Sequence, residues 1–402
     1  MSEINPKLEC WKSKEEREGK QERDTWMNRP TFILAAIGSA IGLGNFWRFP
    51  YLTYKYGGAA FFFPYIMCLV FMGIPLLLQE LSLGQKFQRG DVSVFRGIHP
   101  RLAGIGLVSV LSAYVISWYY CVIISWAVVY FIASFKHPLP WGEESDYVQA
   151  CDPTEIPKAM EFFFKDVVRY FDDDCVPYTD GAKVNFSVYA FCAVLFVWVV
   201  CFAAVFKGVK SSSYIVWVTV PLPVLFILIM VIKGAGLEGG DKGREQYLKG
   251  DVNRYDGLTG QNLTDAIEAY ETTQKGVWSD AAGQIFFSIG VCMGIMTSYG
   301  SYNPVRKPII MDNMIICISN SLLSFIAGFA VWSVVGYLQS LNNMTSGKTS
   351  SIGLAFIAYP TACDLMNKPN FWSILLALTL FTLGVDSAFS MVEATSTVIC
   401  DT

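Results

Sequence analysis

Apolar stretches of about twenty residues, such as 186–206 and 214–232, recur along this chain and limit what it can become. Wound as a helix, roughly 20 such residues cross the hydrocarbon core of a bilayer. Eight stretches meet that measure, at about 31–54, 58–81, 104–135, 184–206, 213–233, 279–301, 310–339 and 370–400. Soluble domains carry about a quarter charged residues, whereas here 16% are charged and mean hydropathy is +0.39. A soluble globular enzyme, a disordered chain and a small disulfide scaffold are thereby excluded. The expectation is an all-α polytopic membrane protein embedded in a lipid bilayer, and a net charge of −4 argues against a nucleic-acid partner.

Basic residues orient the spans, because cytoplasmic loops are enriched in Lys and Arg. With the N-terminus inside, the tail and three short inner loops collect 15 of the 30 basic residues, including Lys86, Arg89, Lys207, Lys210, Arg306 and Lys307. The 136–183 segment carries 11 acidic against 5 basic residues, so it belongs outside. The resulting order is a cytoplasmic tail (1–30), spans 1–3 (31–135), a large outer loop (136–183) and spans 4–5 (184–233). A second outer loop (234–277), spans 6–7 (278–339), a third outer loop (340–369) and span 8 (370–402) follow. Sequons at Asn262 and Asn343 agree with this placement, while that at Asn185 lies too near the fourth span to count. Cys151 and Cys175 share one outer loop and either form a disulfide or remain two free thiols. The polar first 30 residues hold no signal peptide, so the first span is the insertion signal.

Two spans are wrong for plain helices. The first contains Gly38-Ser-Ala-Ile-Gly-Leu-Gly-Asn-Phe-Trp-Arg-Phe-Pro50. Each interior glycine costs about 1 kcal/mol of helix relative to alanine, and an arginine at this depth about 2.5–3.5 kcal/mol unless it meets water or a partner. An unwound segment lining a polar cavity resolves both problems, although a glycine face for tight packing is the alternative. The sixth span repeats the fault in Gly283-Gln-Ile-Phe-Phe-Ser-Ile-Gly-Val-Cys-Met-Gly294. Breaks five spans apart are what two inverted five-helix repeats produce, with substrate and ions bound where the breaks meet. The eighth span adds Asp386 and Ser387 deep in apolar surroundings, either a cation ligand or a protonated acid bonded within the bundle. Glu80 and Glu393, also at membrane depth, read as structural.

These residues carry a resemblance. Gly42-Leu-Gly-Asn-Phe-Trp-Arg-Phe-Pro-Tyr51, the Gly57-Gly-Ala-Ala-Phe stretch, Tyr119-Tyr120 with Ile124-Ser-Trp126, Gly283-Gln-Ile-Phe-Phe-Ser288, Gly300-Ser-Tyr-Asn303 and Asp386-Ser387 together resemble the neurotransmitter:sodium symporter family, from about Arg23 to the last residue. A bacterial member of that family is itself a reference case for the inverted-repeat fold. The resemblance implies two sodium sites: one from the Ala40 carbonyl, Asn45, Ser288 and Asn320, the other from the carbonyls of Gly38, Ile41 and Leu383 with Asp386 and Ser387. It implies a chloride site at Tyr65, Gln284, Ser288 and Ser324, because chloride-independent relatives carry a carboxylate where Ser324 stands.

For the substrate, the resemblance implies a carboxylate received by Tyr120 and the amides of Leu43 and Gly44. The other end would be lined by Ile116, Phe287, Gly290, Met293, Ala388 and Met391. Amine-carrying relatives have an aspartate where this chain has Gly42, so a neutral amino acid or a zwitterion like GABA, taurine or creatine is implied. Arg48 with Phe287 would close the site from outside, and Arg23, beside Trp26, would pair with Asp401 inside.

Relatives have twelve spans, so the eight-span chain reads as a fragment or an incomplete gene model. The leading function is a sodium- and chloride-coupled symporter of the plasma membrane, working by alternating access. The alternative is a transport-incompetent paralogue that binds or regulates, and a homo-oligomer is an open reading. An enzyme is disfavoured, because His99 and His137 are the only histidines and neither sits near a polar intramembrane cluster.

Overall fold

A computed structural model describes residues 24–142, 157–169, 187–249, 264, 271, 274–341 and 351–401, and these are helical with connecting turns. Arg23, Cys151, Cys175 and the sequon asparagines Asn185, Asn262 and Asn343 lie outside the described residues.

The first span starts where the Asn28 side chain accepts from the Thr31 amide at 2.9 Å and Pro30 occupies the first turn. That satisfies a donor the helix itself leaves open. Helix Arg29–Ala40 then stops, Ile41 is extended (ψ 94°), and a second piece, Gly44–Lys55, leaves at 54°. The sixth span is likewise two pieces, Val277–Ile289 and Ile295–Ser301. Between them Gly290 (φ 73°), Cys292 (φ 64°) and Gly294 (φ 71°) are left-handed. Glycine takes that region without steric cost, so the two flanking glycines permit the break.

Among the described residues, six helices are long and apolar enough to cross a membrane, and the bent first pair makes a seventh. The expected span 279–301 is not among them, because its break leaves pieces of 13 and 7 residues. The others are Gly58–Phe87, Pro100–Ala133, Val188–Val205, Val209–Ala235, Ile310–Ser340 and Pro369–Asp401. The last packs along the third span and also meets the first, fourth and fifth. It is the most enclosed, with 83% of its most apolar window buried. Leu107, Val108, Leu111, Val115 and Trp118 on the third span stay exposed, as do Val199 and Phe202 on the fourth. Such an apolar outer belt is what a bilayer solvates.

Two loop segments hold structure that hydropathy does not reveal. Within the expected loop 234–277, helix Gly240–Lys249 lies against the seventh span and buries Tyr247. Within the expected loop 340–369, the buried helix Leu354–Leu365 sets Phe356 against Trp47 and Trp126, while Tyr359 contacts Phe46. At twelve residues it is too short to span.

Candidate functional site

The breaks of the first and sixth spans face one narrow cleft of about 30 Å³. Ala40, Gly44, Asn45, Ile116, Tyr120, Phe287, Ser288, Gly290, Met293, Ser387 and Met391 line it, together with Ser39, Gly42 and Ile295. Ala388 is wholly buried beside it and does not line it. The Leu43 amide donates to the Tyr120 hydroxyl at 3.3 Å, which ties the unwound turn to the third span.

The side chains expected at the first sodium site meet. Asn45 Nδ2 donates to Asn320 Oδ1 at 2.6 Å and to Ser324 Oγ at 2.9 Å. Asn320 Nδ2 donates to Ser288 Oγ at 2.8 Å, and Asn45 Oδ1 accepts from the Gly42 amide at 3.2 Å. The first, sixth and seventh spans thus converge on one set of neutral oxygens, and oxygen ligands suit a hard cation.

At the second site, Asp386 is 2% exposed and its Oδ1 has no hydrogen-bond partner. Its Oδ2 approaches the first span so closely that a Cβ built on Gly38 would stand 3.1 Å away. Ser387 donates to the Ser39 carbonyl at 3.2 Å. A buried carboxylate oxygen without a donor is costly unless a proton or a cation answers it. The residues therefore fit either a proton or a cation held between the broken first span and the eighth.

The expected chloride residues show a related deficit. Gln284 is fully buried and neither polar atom of its amide has a partner. Tyr65 and Ser321 exchange a hydrogen bond at 3.0 Å, and Ser324 donates to the Asn320 carbonyl at 3.0 Å. Ser321 is a residue that sequence reasoning missed. Its only signal is its place beside Asn320, and a serine in an apolar helix usually bonds its own backbone. An anion would use the idle Gln284 amide N–H, since burial without a partner costs about 1–3 kcal/mol.

On the side expected to face outward, the Arg48 guanidinium lies 5.5 Å from the Phe287 ring centroid and donates to the Gly283 carbonyl at 3.5 Å. The nearby acid Asp280 is held by Lys55 at 2.8 Å and by the Tyr56 hydroxyl. On the side expected to face inward, the Trp26 indole donates to the Tyr299 carbonyl at 3.0 Å and meets the Tyr299 and Tyr302 rings edge-on. Asp401 Oδ2 accepts from the Gly90 amide at 2.5 Å. Its expected partner Arg23 lies outside the described residues.

The sequence profile described as "Sodium:neurotransmitter symporter family" matches residues 23–402. The chain is 34% identical over 400 residues to the sodium- and chloride-dependent GABA transporter 2 of Rattus norvegicus, covering 96% of this chain and 64% of that relative. It is 36% identical over 391 residues to the sodium-dependent serotonin transporter of Drosophila melanogaster, covering 94% and 60%. With the sodium- and chloride-dependent taurine transporter of Homo sapiens it shares 34% identity over 403 residues, covering 96% and 62%. The chain thus spans 60–64% of the length of these curated relatives.

Proposed function

The chain belongs to the sodium:neurotransmitter symporter family, and from that premise we propose that it takes up a small zwitterion together with sodium and chloride. The family and these relatives are transporters, which leaves no place for an enzymatic role. The observation that carries the proposal is the unpartnered, 2% exposed Asp386 oxygen at the first-span break. It supplies a fixed negative charge where backbone carbonyls of an unwound segment stand free.

The substrate carboxylate lies against the Tyr120 hydroxyl and the Gly44 amide, and its charge helps hold a cation at Asn45, Ser288 and Asn320. That shared charge couples ion and substrate, since each binds better in the presence of the other. The apolar end, at Ile116, Phe287, Met293 and Met391, accepts a flexible carbon chain. Gly42 supports a zwitterion over a bare amine. A Cβ there would stand 2.8 Å from Ser387 Oγ and 3.0 Å from the Tyr120 hydroxyl, so no side chain fits without displacing them. GABA and taurine, named for two of the relatives, are the first ligands to try. The chain's place is a multi-pass position in the plasma membrane with its N-terminus in the cytoplasm.

The test is equilibrium binding of radiolabelled GABA and taurine to the purified chain in lipid, in sodium chloride against choline chloride and sodium gluconate. Saturable binding that needs both sodium and chloride is the expected result. Binding indifferent to sodium, or none with any zwitterion of a broad panel, overturns the proposal.

Two substitutions sharpen it. Tyr120→Phe removes a hydrogen bond to a charged group, worth about 1.5–3 kcal/mol, and weakens binding by roughly 10- to 150-fold with sodium dependence intact. An equal affinity in this variant would place the carboxylate elsewhere. Ser324→Glu supplies the missing negative charge within the cluster, so binding then persists in gluconate. If that variant still demands chloride, the anion does not sit at Gln284 and Ser324.

A further inference from the structure

Below the sixth-span break, towards the cytoplasm, a polar cluster takes no part in the cleft. Asp91 opens the short inner helix Asp91–Ile98 and is 4% exposed. Its Oδ2 accepts from the Ser109 hydroxyl of the third span, while its Oδ1 has no partner. The Thr297 hydroxyl, on the inner half of the sixth span, is 1% exposed and also without a partner. It lies beside Asp91, and a Cβ built on Gly294 would stand 3.1 Å from Asp91 Oδ2.

Among the described residues, no positive charge answers this carboxyl. From the second span comes Glu80, whose Oε1 accepts from the Cys292 amide at 2.5 Å and whose Oε2 has no partner. The sixth span adds the Cys292 thiol, and the eighth adds Asp401, engaged with the Gly90 amide. The nearest cations in sequence are Arg89, Lys86 and Arg96, of which Lys86 and Arg96 are exposed. Burial holds the Asp91 carboxyl above its ordinary range, against the opposing effect of the Ser109 and Thr297 hydroxyls.

We propose that Asp91 is a proton-binding site, with the proton on Oδ1 donated to the Thr297 hydroxyl. The Thr297 hydroxyl can serve either form of the carboxyl, but only the proton removes the buried charge that no nearby cation answers. The proton also fastens the inner helix to the inner half of the sixth span. Gly90, one residue earlier, ties the same loop to Asp401 on the eighth span, so the loop is held to the eighth span by Gly90 and to the sixth by the proton.

The direction with pH follows. The carboxyl is raised while the loop is packed and returns to its ordinary range once the loop is solvated. The stabilisation is therefore fully present below the ordinary range and is lost as pH rises through the raised value. This inference is independent of what the cleft carries, and its test needs no substrate.

The experiment uses the purified full chain in lipid, with two readouts across about pH 5 to 9. Infrared difference spectra follow the protonated-carboxyl stretch, and hydrogen exchange, normalised for intrinsic rates, follows residues 88–98 and 295–301. The expected result is a titrating carboxyl band that Asp91→Asn removes. Both segments should exchange at least about tenfold faster at the alkaline end, while Asp91→Asn stays slow throughout. Glu80→Gln, which leaves Asp91 in place, retains the step. The proposal is overturned if Asp91→Asn keeps the native band, or if exchange in the native chain does not change with pH. It is also overturned if Glu80→Gln abolishes the step, since the titrating group would then be Glu80.

Discussion

Asp386→Asn raises the sodium concentration needed for half-maximal zwitterion binding by about 100-fold or more. Asp386 is the carboxylate of the second expected sodium site, and one of its oxygens is buried with no partner. Leaving a buried charge without its counterpart costs about 3–5 kcal/mol, which corresponds to roughly two to three and a half decades in affinity. Asparagine preserves shape and the ability to accept a hydrogen bond, so the loss reports charge and not packing. The check is a sodium titration of radioligand binding to the native chain and the variant in matched lipid, with thermal unfolding run alongside. A shift below about threefold would mean that Asp386 is a neutral acid bonded within the bundle. A variant that binds sodium normally but unfolds early would point the same way.

Gly84→Ala removes most folded protein. Gly84 lies near the end of the second span, where a Cβ would stand 1.9 Å from the Thr297 carbonyl oxygen and 3.0 Å from the Ser301 amide nitrogen. The approach is reciprocal, since a Cβ on Gly300 would fall 2.6 Å from the Leu81 carbonyl oxygen. Small residues let membrane helices approach backbone to backbone. No flexible side chain can yield here, so even one methyl costs about 3 kcal/mol or more. The measurement is the midpoint of thermal unfolding in detergent, against Gly104→Ala as control, where a Cβ meets nothing within 4 Å. A sharp fall for Gly84→Ala with no change for Gly104→Ala is expected. Equal midpoints would show that the second span and the inner sixth half are packed less closely than described.

Both breaks were legible because their local costs conflict with a helix. Glycines, Asn45 and Arg48 crowd the first, and Gly290 and Gly294 bracket the second. The pairing of Asn45 with Asn320 and Ser288 could be expected only through the family resemblance, since 275 residues separate the two asparagines. The unused amide of Gln284 was invisible to that reading, because whether a side chain finds a partner depends on what the other spans place beside it. Leu354–Leu365 shows the same limit. Its apolar run is too short for a hydropathy threshold, yet it is fully built into the core against Trp47 and Trp126.

The sequence by itself determined that this chain is helical and crosses a membrane repeatedly, and where two of its spans cannot remain helices. These are local properties, set by transfer energies and backbone preferences that act over one or two turns. Tertiary structure alone decided which polar atoms are left without partners, at Asp386, Gln284, Asp91 and Thr297. It also decided that Gly84 and Gly300 bring two backbones into contact. Such outcomes depend on packing between segments far apart in the chain, and no local preference encodes a neighbour that arrives from another span.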